Sequence, residues 1–185
     1  MIIAQLTDTH ILGPNHSDPK LTNQRLDNLI SCVTDINQLR PLPDAVIHTG
    51  DISQNATLCE YQTALEVLNK LTPPFFIVPG NRDSRATMRK VFQKLPYVSH
   101  TSDDSFIYPV NNFTIRLIGL DSLCDDDGRG CFCSKRMKKL ENLLTQEPLK
   151  PTVLFMHHPP FIIETATTAY LEFQSKKMSD QFLSL

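Results

Sequence analysis

The sequence predicts an α/β fold, because short apolar runs typical of buried strands alternate with segments whose apolar residues recur at helical spacing. Each apolar run ends in glycine or polar residues, as strands do where they give way to loops. The length of 185 residues is ordinary for a single domain with a substantial core.

Five strands are predicted, at residues 2–7, 44–49, 75–79, 113–120 and 152–156. A helix is predicted in each of the first two intervals, with a single apolar face that packs on the sheet. Thr22 and Ser134 are predicted N-caps of helices. The apolar faces consist of Leu26, Leu29, Ile30, Val33 and Ile36 in the first helix and of Leu58, Tyr61, Leu65 and Leu68 in the second.

The composition is that of a soluble globular protein, with 41% hydrophobic and 21% charged residues. No apolar run approaches the roughly 18 residues of a membrane span. The amino terminus has no basic region before its apolar run, so we expect a cytoplasmic protein. The net charge of −2 and the dispersed basic residues argue against a nucleic-acid partner.

The five cysteines are an odd number at irregular spacing, which argues against a disulfide framework. Cys131 and Cys133 suggest a metal site at first sight. Tetrahedral thiolate sites usually contain paired Cys-x-x-Cys elements, however, and this sequence has none. Two cysteines in a loop are therefore the favoured interpretation.

Polar side chains of related chemistry follow four of the predicted strands. In open α/β sheets, ligands bind outside the carboxyl ends of the strands, so these residues are expected to lie together. They are Asp8 and His10 after the first strand, Asp51 after the second, Asn81 after the third, and His157 and His158 after the last.

A mixed set of carboxylate, imidazole and amide oxygen ligands suits Mn²⁺, Fe²⁺ or Zn²⁺. Asp51 is the natural bridge, since a carboxylate can hold two cations. Asp8 and His10 would complete one site, and Asn81 and His157 the other. Taken singly, each residue is more often a turn residue or a helix cap, but the joint pattern favours a dinuclear site.

The other histidines, His16, His48 and His100, are expected to be structural or solvated. Asp121, in "LIGLDS", is expected to be a turn or strand-edge residue, with a place in the pocket as the alternative.

The ordered blocks "DTH", "GD", "GNRD" and "HHPP" resemble those of the calcineurin-like metallophosphoesterases, and more closely the bacterial class III cyclic nucleotide phosphodiesterases. The stretches "PDAVIHTGDIS", "EYQTALEVL" and "FIVPGNRDS" match as well. The resemblance covers residues 1–162, which we take as the metallophosphoesterase domain, and leaves 163–185 as a tail. It implies a sandwich of β-sheets flanked by helices, without the family's final strands.

The resemblance implies a two-metal phosphodiesterase in which metal-bound hydroxide cleaves a small phosphodiester, most typically a 3′,5′-cyclic nucleotide such as cyclic AMP. It implies Asp8, His10, Asp51, Asn81 and His157 as metal ligands, with His157 preferred to His158. Arg82 is expected to clamp the phosphate, Asp83 to hold Arg82, and His158 to offer an alternative proton donor.

Two departures from the family qualify these expectations. The family usually has histidine where this chain has Arg82, and an arginine, with a pKa above about 12, binds phosphate but donates no proton. The Gly-Asn-Arg-Asp spelling also resembles the UDP-diacylglucosamine pyrophosphohydrolases of the superfamily, so a nucleotide pyrophosphate is an alternative substrate.

The second departure is a missing Gly-His-x-His block, which in the family gives each ion one more histidine. We therefore expect weaker metal binding, and an uncovered sheet edge that favours homo-oligomers. A catalytically silent remnant that binds metal or phosphate is the alternative from another functional class.

Overall fold

The computed structural model of the chain describes residues 1–99, 105–124, 128–161 and 172–185. Within these ranges the chain forms six strands and six helices. In chain order they are β1 Ile3–Leu6, α1 Pro19–Gln38, β2 Ala45–His48, α2 Leu58–Leu68, β3 Phe75–Ile77, α3 Arg85–Val91, α4 Pro96–Ser99, β4 Tyr108–Val110, β5 Arg116–Gly119, α5 Ser134–Gln146, β6 Thr152–Phe155 and α6 Lys176–Leu183.

The first sheet consists of β1, β2 and β3, all parallel. Parallel neighbours need a crossover connection, and α1 and α2 provide the two crossovers. Leu6 pairs with His48, and His48 pairs with Ile77, so the three strands end side by side. The polar residues that follow these strands therefore emerge at one edge of the sheet.

The second sheet consists of β4, β5 and β6. β4 runs antiparallel to β5, and β5 runs parallel to β6, with α5 as the crossover. Gly119 at the end of β5 pairs with Phe155 at the end of β6. His157 therefore leaves the second sheet two residues after its last paired residue.

The two sheets pack face to face around a shared apolar core. Ala45 and Ile47 of β2 point into this core, while Val46 between them packs with the helices on the other face. The Tyr108 hydroxyl of β4 donates a hydrogen bond to the Ile77 carbonyl of β3 at 2.7 Å, which ties the sheets together. Burial on both faces explains why the strands read as nearly continuous apolar runs.

Helices cover the outer face of each sheet. Leu29 and Val33 of α1 pack over the first sheet together with buried residues of α2 and α3. Leu140 of α5 and Phe182 of α6 pack with Ile118 on the outer face of the second sheet. The resulting order of helices, sheet, sheet and helices confirms the predicted α/β sandwich.

Both predicted N-caps are wrong by a short distance. Helix α1 begins at Pro19 and is capped by Asp18, whose carboxylate accepts a hydrogen bond from Leu21 N at 3.0 Å. The Thr22 hydroxyl instead donates to the Asp18 carbonyl. Helix α5 is capped by Cys133, so Ser134 is its first helical residue. Strand β4 was not predicted, because it has only three residues and Pro109 lies at its centre.

The described part of the tail, residues 172–185, contains helix α6 and contributes Phe173 and Phe182 to the core of the second sheet. The domain boundary at residue 162 lies among residues outside the described ranges, as does His100, and stays a prediction. In the ranges that the structure describes, no helix combines the length and the apolar character that a membrane span requires.

Candidate metal centre

The backbone around the candidate ligands has an uncommon conformation. Asp8, His10 and Asp51 have left-handed φ angles of 54°, 45° and 54°. Non-glycine residues rarely adopt this conformation, and where they do, the strain is concentrated at functional sites. Hydrogen bonds hold the two loops together, from Asp8 N to the Gly50 carbonyl at 3.0 Å and from His10 N to the Asp51 carbonyl at 2.9 Å.

Asp51 divides its carboxylate between two histidines. Its Oδ2 lies 3.6 Å from His10 Nε2, and its Oδ1 lies 3.7 Å from His157 Nε2. The carboxylate is buried, and Oδ1 also accepts a hydrogen bond from the Arg82 backbone N–H at 2.8 Å. The geometry is that of a carboxylate able to bridge two cations.

The ring of His157 is oriented as a metal ligand would be. Its Nδ1 lies 2.9 Å from the Thr49 carbonyl, which can only accept, so Nδ1 carries the proton. Nε2 then presents a lone pair toward Asn81 Oδ1, at 3.1 Å, and toward Asp51 Oδ1. A lone pair that faces two oxygens is well placed to bind a cation, and fixing the tautomer through Nδ1 is how proteins prepare such a ligand.

The second histidine, His10, faces the other half of the site. Its Nε2 lies 3.5 Å from Asp8 Oδ1, while its buried Nδ1 has no hydrogen-bond partner within the described ranges. The interaction with His10 lowers the pKa of Asp8 to about 2, against the opposing effect of partial burial. Asp8 is therefore ionised at neutral pH, as a metal ligand must be.

These residues fit two metal ions. Two ligand atoms on one tetrahedral ion, each at about 2.0–2.2 Å from it, lie about 3.3–3.6 Å apart. The distances among the candidate ligand atoms, from 3.1 to 3.7 Å, are close to that range. Asp8, Asp51 and His157 also each offer an atom within 4.8 Å of the other two. The structure thus brings together all five predicted ligands, whose roles remain a proposal.

Two glycines allow this close approach. Gly50 has a φ of 109°, and a Cβ there would lie 2.9 Å from His157 Nδ1. A Cβ on Gly80 would overlap the Asp51 carboxylate. Neither position admits a side chain without moving a candidate ligand.

Asp83 does not hold Arg82, contrary to expectation. Its carboxylate is buried and accepts four hydrogen bonds, and within the described structure the Arg82 guanidinium is not among the donors. Burial raises the pKa of Asp83 to about 6, although its hydrogen bonds favour the ionised form. The donors are Ile52 N, Ser53 N, Gly80 N and the Tyr61 hydroxyl, at 3.3, 3.2, 2.9 and 2.9 Å.

His158 lies next to His157 but points elsewhere, with the two rings perpendicular and 4.9 Å apart at their centroids. Its Nε2 donates to the Gly128 carbonyl at 3.2 Å, and its Nδ1 accepts from the Ser122 hydroxyl at 2.8 Å. Burial lowers its pKa to about 4. With both ring nitrogens engaged, His158 positions the loop around Gly128 and is poorly placed as a proton donor.

Glu60 is a buried residue near the site that sequence reasoning missed. Its carboxylate joins the loop after β1, through Gly13 N at 3.1 Å, to the loop after β2, through the Ser53 hydroxyl at 2.5 Å. It also accepts from Asn55 N and Thr57 N, at 3.0 and 3.3 Å. These hydrogen bonds lower its pKa against the effect of burial. The spacing of Thr57 and Glu60 is that of a capping box, which could have revealed it.

Asp121 lies just after β5, as expected of a turn or strand-edge residue, and it is also a buried ion-pair residue. Arg85 binds it through two hydrogen bonds, with Nε at 2.7 Å from Oδ2 and a terminal nitrogen at 2.9 Å from Oδ1. Phe106 N and Leu123 N donate to the same carboxylate. The arrangement fixes the loop after β5 against helix α3.

Comparison with known proteins identifies relatives over most of the chain. The family model described as calcineurin-like phosphoesterase matches residues 1–182. A protein of Arcobacter nitrofigilis, named as a probable glycerophosphodiester phosphodiesterase, is 37% identical over 86% of this chain. A 3′,5′-cyclic-nucleotide phosphodiesterase of a Nostoc species is 29% identical over 89% of this chain.

Among solved structures, a purple acid phosphatase from yellow lupin seeds has a similar fold, with a TM-score of 0.62 and 13% sequence identity over 96% of this chain and 34% of its own. The chain spans 58% and 59% of the length of the two curated relatives. The family model, which matches almost the whole chain, shows that the chain belongs to the calcineurin-like phosphoesterase family.

Proposed function

We propose that this chain is the metal-binding portion of a phosphodiesterase that hydrolyses a small phosphodiester with the help of two divalent ions. The observation that carries the proposal is the division of the Asp51 carboxylate between His10 and His157. A single structural ion pair would not require a second histidine on the opposite oxygen. Mn²⁺, Fe²⁺ and Zn²⁺ suit the mixed oxygen and nitrogen donors.

Asp8 and His10 would hold one ion together with Oδ2 of Asp51, and Asn81 and His157 would hold the other together with Oδ1. Such ions, when bound, polarise phosphoryl oxygens and lower the pKa of water. The chain's own part is to fix the ligands in place. Thr49 sets the tautomer of His157, and the strained loops place Asp8 and Asp51 beside His10, at 3.5 and 3.6 Å from its Nε2.

Arg82 would bind the substrate phosphate. Its side chain is exposed, and its backbone is fixed against Asp51 by the hydrogen bond to Oδ1. A guanidinium attracts a phosphodiester anion and can bind two of its oxygens, but it cannot protonate the leaving group at neutral pH. The reaction that this site favours is therefore one with a leaving group that needs little protonation.

Two substrate classes are supported by the relatives. A 3′,5′-cyclic nucleotide follows from the motif blocks and from the Nostoc relative. A glycerophosphodiester follows from the Arcobacter relative, which has the higher identity of 37%. A nucleotide pyrophosphate and a silent metal-binding chain remain alternatives that the same assay separates.

The test is to measure Mn²⁺ binding by calorimetry and hydrolysis of four compounds: bis(p-nitrophenyl) phosphate, cyclic AMP, glycerophosphoethanolamine and a UDP-sugar. We expect two Mn²⁺ ions per chain, with hydrolysis that requires excess metal. Metal binding without hydrolysis of any compound would leave only the silent alternative. Failure to bind Mn²⁺, Fe²⁺ or Zn²⁺ at all would contradict the proposed site.

The matched variants are Asp51→Asn and His16→Ala. Asp51→Asn should abolish binding of both ions, because even the loss of a residue that only supports a ligand costs about 10–100-fold in affinity. Among the described residues, the His16 ring hydrogen-bonds only within its own loop, to Asp18, so its loss should change neither binding nor hydrolysis. Two ions retained in Asp51→Asn would show that Asp51 is not the bridge.

A further inference from the structure

The loop between β5 and α5 carries three of the chain's five cysteines, Cys124, Cys131 and Cys133. Leu123 and Gly130 form an antiparallel bridge across this loop, and Cys131 N donates to the Ser122 carbonyl at 2.9 Å. Cys124 and Cys131 each follow one bridged residue, so they are diagonal neighbours on the same face of the pair. Neither has a part in the proposed metal centre.

The side chains of Cys124 and Cys131 lie on the same side of this bridged loop, and both residues are partly buried. The Cys131 thiol also lies 3.6 Å from the Leu123 carbonyl, which belongs to the peptide bond that leads into Cys124. Cys133, two residues further along the chain, is exposed.

Polar groups surround this pair of thiols. The Gln174 amide donates a hydrogen bond to Cys124 Sγ at 2.9 Å, and the Arg136 guanidinium lies 3.6 Å from Cys131 Sγ. Arg136 also donates to the carbonyls of Leu123 and Cys131, at 2.9 and 2.8 Å, and so holds both sides of the loop together. Hydrogen-bond donors and cations stabilise thiolate, the form that attacks and leaves in disulfide exchange.

We propose that Cys124 and Cys131 form a dithiol site that a low-molecular-weight disulfide of the glutathione class oxidises to a disulfide within the chain. The Cys124 thiolate attacks one sulfur of the reagent, whose S–S bond breaks and releases one thiolate. Cys131 then loses its proton to water and attacks the Cys124 sulfur, expelling the second thiolate. Two protein thiols lose two electrons and two protons, and the reagent becomes two thiols.

The order of attack follows from the surroundings of each sulfur. Burial raises the pKa of Cys131 to about 11, against the opposing effect of Arg136, so Cys131 is the weaker initial nucleophile. Its attack in the second step is intramolecular, which offsets the small fraction of thiolate. The site lies beside the proposed metal centre, since the loop that it would close carries Gly128, the hydrogen-bond partner of His158.

The experiment uses the whole chain, reduced and then treated with oxidised glutathione, alkylated, and digested with trypsin without reductant. Trypsin cuts after Arg129, between the two cysteines, so Cys124 is found in peptide 117–129 and Cys131 in peptide 130–135. We expect these peptides to be joined, two of the five thiols to be lost, and dithiothreitol to reverse both changes.

Peptide 130–135 also contains Cys133, so variants must identify the partner of Cys124. The joined peptides should persist in Cys133→Ser and in Cys32→Ser, and should be lost in Cys131→Ser. Joined peptides in Cys131→Ser at the level of the unaltered chain would overturn the pairing. Glutathione adducts on exposed cysteines with no joined peptide would overturn the dithiol site. The Cys133→Ser variant is expected to keep the disulfide, so loss of the joined peptides through misfolding cannot be mistaken for support of the proposal.

Discussion

Asp83 connects the loops that carry two candidate ligands, because its carboxylate accepts hydrogen bonds from Ile52 N, next to Asp51, and from Gly80 N, next to Asn81. The adjacent Arg82 points to solvent. Asp83 thus connects loops inside the protein, whereas the neighbouring Arg82 is proposed to bind the substrate. Substitutions at the two positions should separate these tasks.

Asp83→Asn should destabilise the chain, because the carboxamide turns an N–H₂ group toward donors that need an acceptor. Leaving buried donors without partners costs about 1–3 kcal/mol each. Arg82→Ala, which removes an exposed side chain, should change the free energy of unfolding by less than about 0.5 kcal/mol. Urea unfolding of both variants measures these changes in the free energy of unfolding. Equal losses of stability in the two variants would support the predicted pairing of Asp83 with Arg82.

Arg82→His should change the selectivity between substrates. A positioned general acid accelerates a reaction by about 10²–10⁴-fold, chiefly where the leaving group is poor. With Arg82 the chain should cleave bis(p-nitrophenyl) phosphate relatively better than cyclic AMP, since the phenolate needs little protonation. The histidine variant should raise kcat/KM for cyclic AMP more than for the aryl ester.

Equal effects on both substrates would mean that Arg82 only binds phosphate and that another group protonates the leaving oxygen. A loss of both rates in the variant would instead favour a substrate-specific role of the guanidinium, as the pyrophosphate alternative requires.

Helix α6 shows how a short element is stabilised by its packing. Phe182 lies edge-on to Phe132 and Phe173, with ring centroids 5.2 and 5.7 Å away. Such edge-to-face contacts are favourable beyond the area that they bury. An isolated helix of eight residues is not stable in water, so α6 depends on this contact.

Phe182→Ala should therefore cost about 3–5 kcal/mol and expose α6 to exchange. The neighbouring Leu183, with 61% of its surface exposed, is the matched control, and Leu183→Ala should be nearly neutral. Hydrogen exchange followed by mass spectrometry should show faster exchange over Lys176–Leu183 only in the first variant. Unchanged protection there would mean that other contacts hold the helix.

Elements with strong patterns were predictable from the sequence, and those that depend on tertiary contacts were not. The longest strand runs and the first two helices follow from their apolar periodicity. Strand β4 has only three residues, and α6 gains its stability from aromatic rings distant in the sequence. At the site, residue type and position after a strand were sufficient to group Asp51 with His157. The orientation of the Asp83 carboxylate was not predictable, because the groups that donate hydrogen bonds to it come from separate loops.

At the scale of the whole molecule, the sandwich buries two histidines in neutral form. Burial lowers the pKa of His48 to about 3 and that of His158 to about 4, from a usual value of 6.5. His48 Nδ1 accepts from Gly50 N at 3.3 Å, so its Nε2 carries the proton toward the Thr9 hydroxyl. Protonation of Nδ1 would break the first hydrogen bond at the loop that carries Asp51.

The stability of the chain should therefore fall as the pH falls below 6.5. In that range the unfolded chain binds protons at these histidines and the folded chain does not, so each buried histidine lowers the free energy of unfolding by about 1.4 kcal/mol per pH unit. The effect of His48 should extend down to its folded pKa of about 3. Asp83 acts in the opposite direction, because its raised pKa of about 6 lets the folded chain bind a proton there that the unfolded chain does not. Urea unfolding between pH 6 and pH 4.5, with a chelator present, should show the net fall in stability left by two histidines against one carboxyl, and His48→Gln should reduce the slope by about 1.4 kcal/mol per unit. An equal slope in His48→Gln and the unaltered chain would show that His48 is not buried in neutral form.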